Sequence, residues 1–545
     1  MALDERPEVS RTRRFLFGVG AGYVQQAVMI LAGLWLTRFL LESIGQEQYG
    51  GWLIVYQLLL FLDLVDLGVI ALTPREVAYA TGREQHRAAR AAAVAAVVAR
   101  VRRVLWSQMP LAIGAATLFW LVARSQLPDV GVAVEVIALC YVVLFPTRIY
   151  HATLQGLQDL AALGWSGLAA WIVQLLVTVV LVLAGLGFWA LAIGWACNRF
   201  LSTVYCWYRL RTAFPGVLSG GAGLPYLGEG SGLVGRGLWV SVGRVSHMLL
   251  SGADVIILGQ MVGPAIVVAY ACTAKLPLVF VPHLYSLAVT AEPALSELRT
   301  TRSRESLTRA STALGQLMVL LGGLLACVVL ATNEGFVTWW VGADLYAGSG
   351  LTITLLAAIL VRQFTFANGH LLFCLGYEKA LAVVGIADGV ITVAATVILV
   401  GFLGPIGAPL ASLLGVCFAV LPATICLLER DADISCGALF APHLRWLWRF
   451  GLLVLVLAGL GQAWSPGNVL SLIVTGVGVC LAYALVMAPI VRRSALGCYL
   501  EPLLSSVKRR LSRLVKGRPS SRESSSTEQV GVQLTDRRQS QIVVS

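Results

Sequence analysis

Charge is what this sequence has least of. Asp, Glu, Lys and Arg make up 12% of its 545 residues, where a soluble domain carries about 25%. Hydrophobic residues reach 58%, and the mean hydropathy is +0.81. A water-soluble enzyme of this length is excluded, and so is a disordered or collagen-like chain. The 11 cysteines include no CxxC pair, so zinc and thioredoxin-like chemistry have no ligand frame. Most of them lie inside apolar runs, as Cys140, Cys327 and Cys480 do, which argues against a disulfide framework. No P-loop, HExxH or GxSxG occurs, so no ATP hydrolysis, metal site, cofactor or enzymatic activity is expected. The alternation of apolar and polar residues that marks an outer-membrane barrel is also missing.

What is present is a series of continuous apolar runs of helix-spanning length. Fourteen can be counted, among them 49–72, 130–149 and 307–332. They predict an all-α membrane protein with about 14 transmembrane helices. The layout is a tail over 1–14, spans 1 to 6 over 15–210, an interlobe loop over 211–236, spans 7 to 12 over 237–430 and a further helix pair over 431–491. The tail, 492–545, is basic, and Leu500, Leu503, Leu504, Val507, Leu511, Leu514 and Val515 give it an amphipathic helical start. Such a helix suits an anionic leaflet or merely fixes topology.

Net charge is +12. Most of the 40 Lys and Arg fall on one side of the predicted topology, in the N-terminal tail, Arg75 to Arg103, Arg299 to Arg309 and the C-terminal tail. The positive-inside rule then puts both termini in the cytoplasm. In a membrane protein this basicity reports topology, and no nucleic acid partner is expected. The exterior loops are short, the longest spanning about Asn333 to Gly350. A membrane-embedded glycosyltransferase or polymerase, which needs a sizeable exterior domain, is disfavoured.

The chain also shows signs of an internal repeat. A shift of 218 residues lays Ile44-Gly45 on Val262-Gly263, Gly51-Trp52 on Ala269-Tyr270 and Gln57-Leu58 on Lys275-Leu276. Six spans separate the copies, so the halves share an orientation and a pseudo-two-fold axis along the membrane normal.

Four segments carry a resemblance. They are Gly45-Gln-Glu-Gln-Tyr49-Gly50 with Asp66-Leu67-Gly68, Asp254-Val-Ile-Ile-Leu-Gly259 with Ala269-Tyr270, Leu154-Gln-Gly-Leu-Gln158, and Trp339-Trp340-Val341-Gly342. In this order the chain resembles the polysaccharide transporter branch of the multidrug/oligosaccharidyl-lipid/polysaccharide exporter superfamily, over roughly 14–430. The resemblance implies two six-helix lobes around a central cavity, alternating access, and a polyprenyl-pyrophosphate-linked oligosaccharide as cargo. It points to lipopolysaccharide O-antigen, capsule or exopolysaccharide synthesis at a bacterial cytoplasmic membrane. A polymerase and a chain-length regulator of the same pathway would be partners, with membrane lipid.

The charges inside predicted spans bear on mechanism. Arg199, Arg244, Lys275 and Arg362 lie within spans 6, 7, 8 and 10. A mid-span charge costs about 2.5–3.5 kcal/mol on insertion scales, so a wet cavity is a better setting than lipid. Cations there suit an anionic head group such as pyrophosphate, Arg by bidentate bonding. Each has a structural alternative: snorkelling for Arg199 and Arg244, an ion pair for Lys275 and Arg362. The carboxylates available are Asp66, Asp254 and Asp388, which serve either ion coupling or helix ends and packing. Trp339 and Trp340 are expected to anchor at the interface. Two other cargoes fit the same architecture, an organic cation in a cation-coupled multidrug exporter and a peptidoglycan precursor. The first would call for cavity carboxylates, and spans 1 and 10 contain none.

Overall fold

The computed structural model describes residues 11–83, 86–126, 131–218, 230–290, 304–374, 377–432, 436–463 and 466–497. The amphipathic tail after Leu500 and much of the interlobe loop lie outside the described residues. The chain divides into two compact units, Met1–Met487 and Ala488–Ser545, and the helical bundle is the first of them. No strand occurs among the described residues. The protein is an all-α, multi-pass membrane protein.

The first half comprises α1 (Arg11–Leu62), α2 (Val69–Arg83), α3 (Arg87–Ser107), α4 (Met109–Gln126), α5 (Gly131–Leu144), α6 (Arg148–Gly156), α7 (Leu160–Leu183) and α8 (Phe188–Ala213). The second comprises α9 (Gly230–Met261), α10 (Pro264–Thr290), α11 (Arg304–Val341), α12 (Ser349–Cys374), α13 (Glu378–Leu403), α14 (Gly407–Gly415) and α15 (Leu421–Ala432). A final pair, α16 (Cys436–Ala463) and α17 (Val469–Arg492), completes the order.

By length and composition, nine helices among the described residues can cross a membrane, or up to 11 if each bent pair is one span. The expected fourteen is not reached, and the reason is local. The segments Gln26–Asp66 and Lys379–Arg430 each count as one, yet each contains a backbone reversal, at Gly45 and at Gly404. Helix α8 is not among the nine, because Asn198, Arg199, Arg209 and Arg211 dilute its apolar residues.

Gly45 and Gly263, which the 218-residue shift superposes, turn the chain with φ of 80° and 115°. That region of backbone space is open to glycine and costly for other residues. Both turns lie at the arginine-poor end of the bundle, where the halves meet. A Cβ on Gly50 would overlap the backbone of Pro264, and one on Gly259 would overlap Ile54. Val268, Ala269 and Cys272 of α10, with Val337, Trp340 and Leu345, share one buried core with Leu40, Tyr49 and Trp52.

Two boundaries and one side-chain position differ from the sequence expectation. The fourth span runs on through a 3-10 turn at Phe145–Thr147 into α6, which places Arg148 within the bundle. Glycine at 156 permits this, since a Cβ there would meet Val77 and the carbonyl of Pro74. Helix α11 continues to Val341, which shortens the expected exterior loop. Trp340 is 4% exposed and donates from Nε1 to the carbonyl of Leu34 at 2.9 Å. It joins the two halves instead of anchoring at an interface; Trp339, 44% exposed, keeps the expected surface position.

Candidate functional site

The intramembrane charges fall into separate settings. Lys275 lies on α10, three residues past Cys272 and about 16 Å along the helix from Pro264. It is half-buried, just beyond the shared core toward the arginine-rich end. Among the described residues no carboxylate pairs with it. Pro277 has no N–H to give the carbonyl of Thr273 its helical bond. Asn333 supplies the donor, with Nδ2 at 3.0 Å from that carbonyl and 3.1 Å from Thr352 Oγ1. The Thr273 hydroxyl accepts the Ala347 N–H at 2.9 Å. A buried polar clamp thus holds the backbone beside Lys275. Asn333→Leu is expected to lower stability by about 1–3 kcal/mol by stranding that carbonyl, read as an earlier thermal melt of the detergent-purified protein.

Arg362 is fully engaged. Its Nη1 and Nη2 donate to the two Asp388 oxygens at 2.8 and 3.2 Å. Its Nε donates to Ser412 Oγ at 2.9 Å and Nη2 to the Ser412 carbonyl at 3.0 Å. Asp388 also accepts from Thr392 Oγ1 at 3.2 Å. The approach is possible because residue 415 is glycine, whose absent Cβ would overlap Thr392 and stand 2.5 Å from Asp388 Oδ1. The fork ties α12, α13 and α14 together, the ion-pair arrangement that the sequence left open against cargo binding.

Asp254 accepts from Tyr270 Oη at 2.6 Å and from the N–H of Val255 at 2.8 Å, joining α9 to α10. Asp66 is fully buried. The chain breaks at Leu67 and Gly68, both with positive φ, and Asp66 Oδ1 accepts the Gly68 N–H at 2.7 Å. Asp66-Leu67-Gly68 is therefore a capped helix break. Arg148 Nη2 lies 3.1 Å from Asp63 Oδ1 and 3.2 Å from Asp66 Oδ2.

Arg199 is exposed, its guanidinium 5.7 Å from the centre of the Trp195 ring. It lines a cleft of about 250 Å³ within the first half, with Asp63, Arg148, His151 and Trp195; neither Lys275 nor Arg362 lines it. Arg244 lies on α9, and its side chain is outside the described residues. Arg199, Lys275 and Arg362 thus serve three different environments. Sequence reasoning missed Arg148 and Asn333 as interior groups, since both sit where hydropathy falls at the end of an apolar run. Among the described residues no cluster of His, Cys, Asp or Glu is placed to hold a metal ion.

Residues 94–330 match the family model described as "Polysaccharide biosynthesis protein". The fold agrees with that of an inward-facing multidrug resistance MATE family transporter of the MOP superfamily, at TM-score 0.54 and 14% identity, over 80% of this chain and 96% of that one. It also agrees with the Lipid II flippase MurJ in an inward closed conformation, at TM-score 0.57 and 11% identity, over 86% and 99% of the two chains. No curated protein matches the chain by sequence. The structural neighbours are a transporter and a flippase, and the chain shares their fold.

Proposed function

We infer that this protein is a flippase that carries a polyprenyl-pyrophosphate-linked oligosaccharide across the cytoplasmic membrane by alternating access. The observation that carries the reading is Lys275, a half-buried cation with no acidic partner among the described residues, just past the contact between the halves. The polysaccharide family match supports a saccharide cargo. Lys275 offers the pyrophosphate a counter-charge in a setting where water competes weakly. Arg362 is neutralised by Asp388 and supports the cavity wall in this conformation. Arg244 is a further candidate contact from its position on α9. The product would feed O-antigen, capsule or exopolysaccharide synthesis, handing over to a polymerase and a chain-length regulator. With the arginine-rich end cytoplasmic, both termini lie inside.

The drug-exporter reading finds less support. Asp254 is bonded to Tyr270, and Asp388 to Arg362, so neither offers a free carboxylate to an organic cation. An outward-moving anion gains about 2.3 kcal/mol per charge per 100 mV of inside-negative potential. In liposomes, imposing that potential is expected to speed inside-to-outside movement of the lipid-linked cargo without nucleotide. Strict dependence on ATP would sink the reading.

A further inference from the structure

The cleft that Arg199 lines draws its walls from α1, the turn after it, α2, α5, α6 and α8. At about 250 Å³ it falls below the ~300–1,000 Å³ of pockets that enclose drug-sized ligands. An oligosaccharide does not fit in it, whereas a single sugar ring does.

The charged groups of the lining are Asp63, Arg148 and Arg199. Arg148 is committed to Asp63 at 3.1 Å and, away from the cleft, to the buried Asp66 at 3.2 Å. What the cleft presents to a ligand is therefore Arg199. It is exposed, and no carboxylate pairs with it among the described residues. The Trp195 ring, 5.7 Å beneath its guanidinium, holds it by cation–π attraction. Ser202 and Thr203 follow at i+3 and i+4 on α8, on the face that Arg199 occupies. Hydroxyls within helices commonly donate to the carbonyl one turn back, as those of Thr153 and Thr212 do. Among the described residues the hydroxyls of Ser202 and Thr203 have no such partner. His151 lines the same cleft from α6.

Depth relates the cleft to Lys275. Gly187, which precedes α8, stands against Gln48 beside the Gly45 turn, and Pro264 at the start of α10 stands against Gly50. The two helices thus begin at the same end of the bundle. Arg199 lies about 16 Å along α8 from Phe188, the same depth as Lys275 on α10. A cargo whose pyrophosphate meets Lys275 presents its sugars at the level of this cleft.

We propose that the cleft receives one acidic residue of the cargo glycan, a sugar of the uronate kind. Its carboxylate takes the Arg199 fork, and its ring hydroxyls pair with Ser202, Thr203 and His151. One open guanidinium suits one carboxylate. A phosphate monoester would bring about −1.5 to −2 charge, and a bare anion would leave the two hydroxyls unused. The proposal rests on the flippase reading for the source of the sugar, and binding to the cleft is measured independently of transport.

The full-length protein, purified in detergent, is titrated with methyl glucuronide, methyl glucoside, acetate and inorganic phosphate, and binding is read from the rise in melting temperature. The glucuronide is expected to bind about tenfold more tightly than each of the others. Arg199→Gln, which breaks no ion pair among the described residues, should lower its affinity about tenfold and leave the ligand-free melt unchanged. The double variant Ser202→Ala/Thr203→Val should lower affinity about threefold and decides the matter if Arg199→Gln fails to fold. In liposomes, a polyprenyl-pyrophosphate glycan containing a uronate should cross faster than its neutral counterpart, and Arg199→Gln should erase the difference. Equal binding of glucoside, acetate or phosphate, or unchanged glucuronide affinity in the variants, would overturn the proposal. Equal movement of both lipids would also overturn it and leave the flippase reading standing. Movement of neither lipid, with tight glucuronide binding, would overturn the flippase reading and support the site.

Discussion

Asp388→Asn is expected to lower stability by about 3–5 kcal/mol, the largest loss for any single polar change in the second half. Asp388 is 1% exposed and receives two guanidinium bonds and the Thr392 hydroxyl. Removing its charge leaves Arg362, 18% exposed in its side chain, as an uncompensated cation among three helices. Arg362→Gln strands the carboxylate in the same way. The double variant Arg362→Gln/Asp388→Asn should recover much of the loss, because no lone charge remains. Arg362→Lys should also be poorly tolerated, since a single ammonium cannot reach both Asp388 oxygens, Ser412 Oγ and the Ser412 carbonyl at once. Thermal melting of the four purified variants beside wild type checks this. If the single variants melt with wild type, the pair contributes nothing to the fold.

Lys275→Gln is expected to behave in the opposite manner. With no acidic partner among the described residues, Lys275 bears a desolvation cost that neutralisation removes, so stability should hold or rise. Transport should fall roughly 10- to 100-fold, the worth of one charge-assisted bond of about 1.5–3 kcal/mol. Lys275→Arg retains the charge and should keep part of the activity. Flipping rates in liposomes, normalised to folded protein, give the answer. A wild-type rate in Lys275→Gln would remove Lys275 from the cargo's path, and a collapse in stability would reveal a hidden structural partner.

Much of this architecture was legible because apolar runs of spanning length leave the backbone only one way to satisfy itself. The turn at Gly45, its counterpart at Gly263 and the interior positions of Lys275 and Arg362 all follow from that reading. What the sequence could not display is which charge meets which. Asp388 lies 26 residues from Arg362 and Ser412 lies 50 away, and only packing brings them to one guanidinium. Hydropathy also ended spans too early at Arg148 and Asn333. Each polar side chain there finds partners on other elements, so the helix goes on where the apolar signal stops. Trp340 was misplaced for a related reason: the acceptor of its indole N–H is the Leu34 carbonyl, over 300 residues away in the chain.

The central claim is that the cargo is an anionic, lipid-linked oligosaccharide. It is tested most directly with the purified protein in nucleotide-free liposomes. A fluorescent polyprenyl-pyrophosphate oligosaccharide is placed in one leaflet, and its arrival in the other is followed beside the efflux of a fluorescent organic cation from the lumen. The account predicts rapid, protein-dependent movement of the lipid-linked sugar, slowed in Lys275→Gln, and no protein-dependent efflux of the cation. Cation efflux with a static lipid-linked sugar would contradict it.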